Sequence, residues 1–313
     1  MAPAPQNQLL RKWKHHRLSV LVAILALLGA GPADGKNKRN DPAEIGKRDV
    51  GKGLNFYSLE KEAALGQQMA RDVEFQSRGL RDEVVSEYVN RLCQNIALNS
   101  DAKIPVSVQI LDTEETNAFT LPGGRLYINA GLIVKAETEA ELAAAVAHEI
   151  GHVAARHATR QATMSTIMEY GSMSLVLLGG QAGFAAMEAA RLAAPLGAAK
   201  FSRTYEAEAD FLGLQYVYKT GYDPTAFVDL LERLATTRHE KPNRVLGMLS
   251  THPAIASRTR RIQQKIEKIL PPKESYIVNT SEFASIRARL LERYAASHPQ
   301  ERRLRPPILE HRP

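Results

Sequence analysis

The 313-residue sequence contains a single cysteine, Cys93, which excludes an internal disulfide. Because Cys93 lies in a helical pattern, we interpret it as a small buried core residue. The apolar run at 18–30 is 13 residues long, shorter than the roughly 20 residues that a membrane-crossing helix needs. The formal charge of +7 includes four basic residues and no acid within 1–33, and the rest of the chain has 37 basic against 34 acidic residues. This near balance argues against a nucleic-acid partner.

The N-terminal 33 residues have the pattern of a secretory signal peptide. A basic stretch at 11–17 precedes the apolar run, and small residues follow as far as Ala33, where a signal peptidase could cut. No cysteine lies just after the run, so lipid attachment is not indicated. We therefore expect a periplasmic or secreted protein, and whether the signal is cleaved or kept as a membrane anchor stays open.

Polar composition and apolar periodicity divide the rest of the chain into three parts: a flexible linker at 34–55, a folded domain at 56–270 and a partly disordered extension at 271–313. We expect an α+β fold, mostly helical, with a small sheet. Strands are predicted at 104–111 and 125–129. Helices are predicted at about 58–79, 82–98, 138–163, 202–219, 226–235, 253–269 and 281–296.

Between the helices at 138–163 and 202–219, a segment at 164–199 is rich in Met, Gly and Ala. Its simplest interpretation is two helices joined at Gly179-Gly180. Two roles remain open: the helices cover the core, or they form a lid or a membrane-touching hairpin over a cleft. Glu188 and Arg191 interrupt the apolar pattern, which argues against a segment that crosses a bilayer.

The helix at 138–163 contains His148-Glu149-Ile150-Gly151-His152. At about 100° per residue, His152 lies roughly 40° round the helix from His148, so both imidazoles can reach one metal ion. Glu149 lies about 100° round, close enough to act on a water molecule at that ion without binding it. This spacing predicts two zinc ligands and a catalytic base.

A catalytic zinc usually takes three protein ligands, so one more is required. The metzincin pattern fails, since it needs a glycine and a histidine where this chain has Ala155 and Ala158. His157 lies five residues after His152, roughly 140° away round the helix, and is predicted to be a surface residue. A carboxylate from a second helix remains.

That second helix contains Glu206, Glu208 and Asp210. Glu206 and Asp210 are four residues apart and share a face, so Glu206 can bind zinc while Asp210 accepts a hydrogen bond from a ligand imidazole. Glu208 points elsewhere. A solvated acidic helix face is the alternative interpretation of these carboxylates, and the zinc motif upstream disfavours it.

In motif order the chain resembles the zinc peptidases that include the CaaX prenyl endopeptidase, the HtpX membrane protease and, most closely, the periplasmic BepA-like proteases. The resemblance covers roughly residues 58–270. It rests on five segments: LEKEAALGQQMARDVE, Asn117-Ala118-Phe119 with Pro122-Gly123-Gly124, the zinc motif, SRTYEAEAD, and Ser250-Thr251-His252-Pro253. It implies a zincin-like (gluzincin) fold with one Zn²⁺ per chain. The resemblance stops near residue 270, where helical repeats would follow in the BepA-like proteases, and we expect a short extension at 271–313 in their place.

A mechanism of peptide hydrolysis follows from this site. Zinc lowers the pKa of water toward roughly 7, and Glu149 takes the proton as the peptide carbonyl is attacked. We expect residues 117–128, including Asn117, Pro122, Gly123 and Gly124, to bind an extended substrate through backbone hydrogen bonds. Such binding depends little on the side chains of the substrate, so it suits unfolded or misassembled proteins. The resemblance implies a role in quality control of cell-envelope proteins.

Two further interpretations stay open. His252 either caps and packs a helix that begins at Pro253, or occupies the open zinc position as a regulatory fourth ligand. The protein as a whole could be a latent protease that acts mainly as a chaperone or binding protein, although every catalytic position is intact. Peripheral membrane contact through 164–199 is the remaining partner expectation.

Overall fold

The structure is a computed structural model that describes residues 40–176, 180–237 and 255–297. The predicted signal peptide at 1–33, His252 and the end of the C-terminal extension lie outside these residues. Residues from Pro42 onward form one compact unit, which is described here.

Two capped helices open the domain. Helix α1 (Leu59–Gln76), predicted at about 58–79, begins after Ser58, whose side chain accepts a hydrogen bond from the Lys61 amide. Helix α2 (Glu83–Leu98) begins after Asp82, which caps it in the same way. One face of α2 is buried in the core.

A three-stranded sheet follows, with the strand order β1-β3-β2. Strands β1 (Ser107–Leu111) and β3 (Arg125–Asn129) are parallel, and β2 (Ala118–Leu121) pairs antiparallel with β3. The sequence predicted β1 and β3 but not β2, whose four residues are too few for alternation to be recognised. Within the described chain, β2 is an edge strand of this sheet.

The remaining helices surround the zinc-motif helix, which is α4. Their bounds are α3 (Ala130–Lys135), α4 (Glu139–Ala154), α5 (His157–Val176), α6 (Gly180–Lys219), α7 (Ala226–Thr237), α8 (Ile255–Ile269) and α9 (Ser281–Ser297). Helix α6 has 40 residues, so the helix predicted at 202–219 begins earlier than expected, at Gly180. None of the described helices is long and apolar enough to cross a membrane.

The predicted single helix at 138–163 is two helices, and this prediction was wrong. Helix α4 ends at Ala154, Arg156 adopts a left-handed conformation with φ of 55°, and α5 begins at His157. Arg156 donates to the Glu62 carboxylate at 2.7 Å and to the Tyr57 carbonyl at 2.7 Å. These contacts with distant residues compensate for the strained backbone, which helix propensity alone would not select.

Helices α4 and α6 cross closely because each has a glycine at the crossing. A Cβ at Gly151 would lie 2.8 Å from the Ala209 carbonyl oxygen, and a Cβ at Gly213 would lie 2.9 Å from the His148 amide nitrogen. Any side chain at either position would push the two helices apart. The close crossing carries the acidic part of α6 to the zinc motif.

Both ends of the described chain pack against this core. Ile45 and Val50 are buried, and Arg48 donates to Asp101 at 3.1 Å, so this part of the segment predicted as a flexible linker is ordered. At the other end, α9 buries Phe283 and Leu290, among others. The polar composition of 42–50 conceals this packing, because only two of its side chains are apolar core residues.

Candidate metal centre

The two motif histidines lie on adjacent turns of α4, with their rings meeting edge to face. The Nε2 atoms of His148 and His152 are 3.1 Å apart. His148 is buried, whereas 14% of the His152 side chain is exposed. One side of the pair is therefore open to solvent, as a site that admits a substrate requires.

The third donor comes from α6. One carboxylate oxygen of Glu206 is 3.5 Å from His148 Nε2 and the other is 3.3 Å from His152 Nε2. Two ligands on a tetrahedral zinc, each at roughly 2.0–2.1 Å, would be about 3.3 Å apart. The spacing of all three donors fits a zinc ion, and among the described residues these three form the group able to hold a metal.

Asp210 lies one turn beyond Glu206 and contacts the far nitrogen of His148. Its carboxylate is 3.1 Å from His148 Nδ1, which leaves Nε2 directed at the other donors. Although burial favours the neutral carboxyl, Arg258 and His148 hold the pKa of Asp210 below its ordinary value. Burial would lower the pKa of His148, but its bonds to Asp210 and Glu206 raise it.

Arg258 of α8 is a site residue that sequence reasoning missed. Its buried guanidinium lies 3.0 Å from the Glu206 carboxylate and bonds both oxygens of Asp210, at 2.6 and 2.9 Å. A signal exists in the sequence, because Arg258 stands four residues before the buried Ile262 and shares its face of α8. A cation at such a position requires a buried anionic partner.

The charges of the site also fit a divalent cation. Three buried carboxylates, those of Glu149, Glu206 and Asp210, surround the two imidazoles, and Arg258 supplies one positive charge. With neutral imidazoles the formal balance is two negative charges. A buried group of this charge is stabilised by a bound divalent ion.

Glu149 follows His148 directly and is buried on the side of α4 that faces the sheet. One of its oxygens accepts a hydrogen bond from Thr120 Oγ1 of β2 at 3.2 Å. The base predicted from the motif is thus oriented by an edge strand. This contact joins the zinc motif to the surface where an extended peptide could bind.

His157 is buried, and its prediction as a surface residue was wrong. The rotation of 140° assumed one continuous helix, whereas the break at Arg156 turns His157 back toward the site. His157 Nδ1 lies 2.9 Å from His152 Nδ1, and its Nε2 lies 3.0 Å from the carboxylate of Glu208. Burial lowers the pKa of His157 to about 3, so its imidazole is neutral.

The predicted substrate residues lie at the two ends of β2. Asn117 is buried just before the strand. The Pro122-Gly123-Gly124 turn lies beneath α1, where a Cβ at Gly66 would be 1.7 Å from the Pro122 carbonyl oxygen. Gly123 and Gly124 both have positive φ, near 80°. The turn therefore shapes the edge strand, and direct contact of these residues with substrate stays a prediction.

Comparison with known protein families agrees with this geometry. Residues 80–266, more than half of the chain, match the model of peptidase family M48. The chain belongs to peptidase family M48. M48 peptidases are metal-dependent enzymes with a zincin-like fold, which confirms the fold class predicted from the sequence and the prediction of a metalloprotease.

The chain is also similar to individual M48 proteins. It is 27% identical over 94% of its length to the beta-barrel assembly-enhancing protease of Yersinia pestis and 26% identical over 93% to that of Escherichia coli K12. It is 28% identical over 67% of its length to the mitochondrial metalloendopeptidase OMA1 of Schizosaccharomyces pombe. The chain spans about 60% of the length of these relatives, 61%, 59% and 63% respectively.

Proposed function

We propose that this M48 protein is a zinc-dependent endopeptidase in which His148, His152 and Glu206 hold one zinc ion and Glu149 is the catalytic base. The observation that carries the proposal is the convergence of three donor groups from α4 and α6. The two Nε2 atoms are 3.1 Å apart, and one oxygen of Glu206 lies 3.5 Å from His148 Nε2 while the other lies 3.3 Å from His152 Nε2. Glu149 follows the first donor in sequence and faces the edge strand. Two imidazoles and one carboxylate are a ligand set of catalytic zinc sites, and M48 peptidases usually use zinc, which supports zinc as the metal.

Zinc bound there would polarise a water molecule and the carbonyl of the substrate. Glu149 accepts the proton of the attacking water and then delivers it to the leaving nitrogen. The Thr120 hydroxyl keeps one Glu149 oxygen engaged, which limits the rotation of the carboxylate. Asp210 and Arg258 hold His148 and Glu206 in position.

The substrate would add to the outer edge of β2 as an extended strand. Because β3 occupies only one side of β2 in the described sheet, the backbone groups of the other side are available to a peptide. Because Thr120 of β2 donates a hydrogen bond to Glu149, a peptide bound at this edge would lie beside the proposed base. Recognition through backbone groups depends little on the amino-acid sequence of the substrate, so we expect unfolded or misassembled proteins as substrates.

We further propose that the enzyme acts in quality control of envelope proteins, in the periplasm or outside the cell. The signal-like pattern at 1–33 and the names of the bacterial relatives support this role. Peripheral contact of 164–199 with a membrane is supported by Tyr170 of α5 and Phe184 of α6, both of which are more than 60% exposed.

Cleavage of unfolded casein by the purified protein tests the proposal. We expect cleavage that a chelator abolishes and added zinc restores, and a Glu149→Gln variant that binds zinc without cleaving. Casein binding without cleavage in the zinc-loaded wild type would support the alternative role as a binding protein. Cleavage that persists after full removal of the metal would contradict the mechanism.

A further inference from the structure

The second imidazole of the site, His152, contacts a further histidine. Its Nδ1 lies 2.9 Å from the Nδ1 of His157, and the other nitrogen of His157 lies 3.0 Å from Glu208. Two imidazoles and a carboxylate thus form a continuous row that ends at the proposed metal position. None of the residues beyond His152 has a part in the mechanism described above.

The positions of the protons along this row follow from its last member. An ionised carboxylate only accepts hydrogen bonds, so His157 Nε2 must carry a proton and donate it to Glu208. In a neutral His157 the Nδ1 then carries the lone pair, so this atom can only accept a hydrogen bond. His152 must therefore donate from Nδ1, which leaves its lone pair on Nε2.

The reverse arrangement would direct a lone pair of His157 at the lone pairs of Glu208, which is repulsive. A doubly protonated His157 is disfavoured as well, because Arg160 already balances the charge of Glu208 from 3.1 Å and His157 is buried. The row therefore selects one tautomer of His152. Its free lone pair is on Nε2, the atom that lies 3.1 Å from His148 Nε2 and 3.3 Å from Glu206.

Several contacts hold this row in place. The ring of Tyr205 stacks on His157 with centroids 4.6 Å apart and an interplanar angle of 27°. The Arg160 guanidinium lies over the Tyr205 ring, 5.0 Å from its centroid, and also pairs with Glu208. The break in the helix at Arg156 brings His157 next to His152, so the strained backbone at Arg156 is needed for this row of contacts.

We propose that His157 is a positioning residue for the metal ligand His152 and that Glu208 fixes the proton of His157 on Nε2. His157 and Glu208 together would orient His152 as Asp210 orients His148, with one additional imidazole between the carboxylate and the ligand. The inference rests on the proposed metal site, because His152 must be a ligand for its tautomer to matter. Residues that orient metal-binding histidines typically contribute 10- to 100-fold to metal affinity.

Two variants of the full chain separate positioning from packing. His157→Phe keeps a ring on Tyr205 but removes the acceptor, and we expect it to raise the zinc Kd about 10- to 100-fold, measured by competition with a chelator. His157→Asn places a carbonyl oxygen near the former Nδ1, so we expect its Kd to stay within about threefold of wild type. Glu232→Gln, an exposed change on α7, serves as the unaffected control.

The thermal unfolding of the metal-free proteins completes the test. A role in packing alone would lower the unfolding temperature of His157→Phe with and without zinc and leave the Kd unchanged, which would overturn the proposal. Equal zinc affinities of the Phe and Asn variants would also overturn it. If the wild type itself binds no zinc, the proposed metal site fails, and that result is distinct from a failure of the row.

A measurement on the unmutated protein keeps the proposal testable if His157→Phe does not fold. Nitrogen-15 NMR of the zinc-loaded wild type, with the His152 ring assigned, should show a protonated Nδ1 and a metal-shifted Nε2. His157 should carry its proton on Nε2. Binding of zinc through Nδ1 of His152, or a proton on Nδ1 of His157, would contradict the proposal.

Discussion

Helix α4 buries carboxylates at both of its ends, and the two ends differ in what the carboxylates contact. At the N-terminal end, Glu139 accepts from the hydroxyls of Tyr222, at 2.7 Å, and Thr280. Glu141 is paired there with Arg233 at 2.9 Å. At the C-terminal end, Glu206 and Asp210 approach α4 and contact its imidazoles. The buried carboxylates have polar partners at both ends of α4. Only at the C-terminal end do several possible metal-ligand atoms converge on one point.

The comparison teaches that a buried carboxylate is not by itself a functional sign. At the N-terminal end, hydroxyl and guanidinium groups donate hydrogen bonds to the two carboxylates, so these carboxylates are satisfied without a further ligand. At the other end, the Nε2 atoms of His148 and His152 and the Glu206 carboxylate are all acceptors when the histidines are neutral. Hydrogen-bond acceptors that lie this close together are stabilised by a cation. The four experiments that follow test this difference between the two ends of α4.

The largest effect is expected from Glu149→Gln. The amide keeps the shape of the side chain and cannot accept the proton of water, so we expect casein cleavage to fall at least about 100-fold. Zinc content, measured by atomic absorption, should stay at one ion per chain. Loss of zinc together with activity would assign Glu149 to the metal, and retained activity would refute its role as the base.

A comparison of two neighbouring carboxylates on α6 gives the next effect. Glu206→Gln removes a charged ligand, whereas Glu208→Gln leaves a carbonyl that can still accept from His157. We expect Glu206→Gln to raise the zinc Kd at least about tenfold more than Glu208→Gln, again by competition with a chelator. A larger loss of zinc in the Glu208 variant would mean that the wrong face of α6 has been assigned to the metal.

Gly151→Ala tests the close crossing of α4 and α6. The added Cβ would meet the Ala209 carbonyl oxygen at 2.8 Å, and separating the helices should cost about 1–3 kcal/mol of unfolding free energy. Zinc affinity should fall as well, because Glu206 moves away from the histidines. Gly171→Ala is the matched control, since its Cβ would meet nothing within 4 Å. Equal stability of the two variants, measured in urea, would contradict this view.

The smallest effect is expected at the N-terminal end of α4. Tyr222→Phe removes a donor to the buried Glu139 carboxylate, which should cost about 1–3 kcal/mol of unfolding free energy. Zinc affinity and casein cleavage of the folded enzyme should not change. Tyr170→Phe, at an exposed position, controls for loss of the hydroxyl. A weaker zinc site in Tyr222→Phe would show that the two ends of α4 are coupled.

Local sequence patterns predicted the parts of the site that lie within one helix. The spacing puts His148 and His152 on one face and Glu149 about 100° round from it, because a regular helix fixes the angles between its residues. The pairing of Glu206 with Asp210 follows from the same rule on α6. Helix propensity and apolar periodicity likewise predicted α1, α2, α7, α8 and α9 to within a few residues.

What sequence reasoning missed depends on contacts between distant segments. The break at Arg156 is stabilised by Glu62 and Tyr57, almost 100 positions upstream. His157 was misplaced because that break resets the helical angles. Arg258 reaches the site from α8, and no spacing rule relates it to Glu206 or Asp210. Tertiary contacts of this kind override local preferences without leaving a periodic signal.

The central claim is that α4 and α6 together hold one zinc ion beside Glu149. Crystals of the zinc-loaded Glu149→Gln variant, measured above and below the zinc absorption edge, test it most directly. The account predicts one anomalous peak per chain, bounded by His148 Nε2, His152 Nε2 and the Glu206 carboxylate, with residue 149 outside the coordination sphere. A peak at other side chains, or no peak at these three, would contradict it.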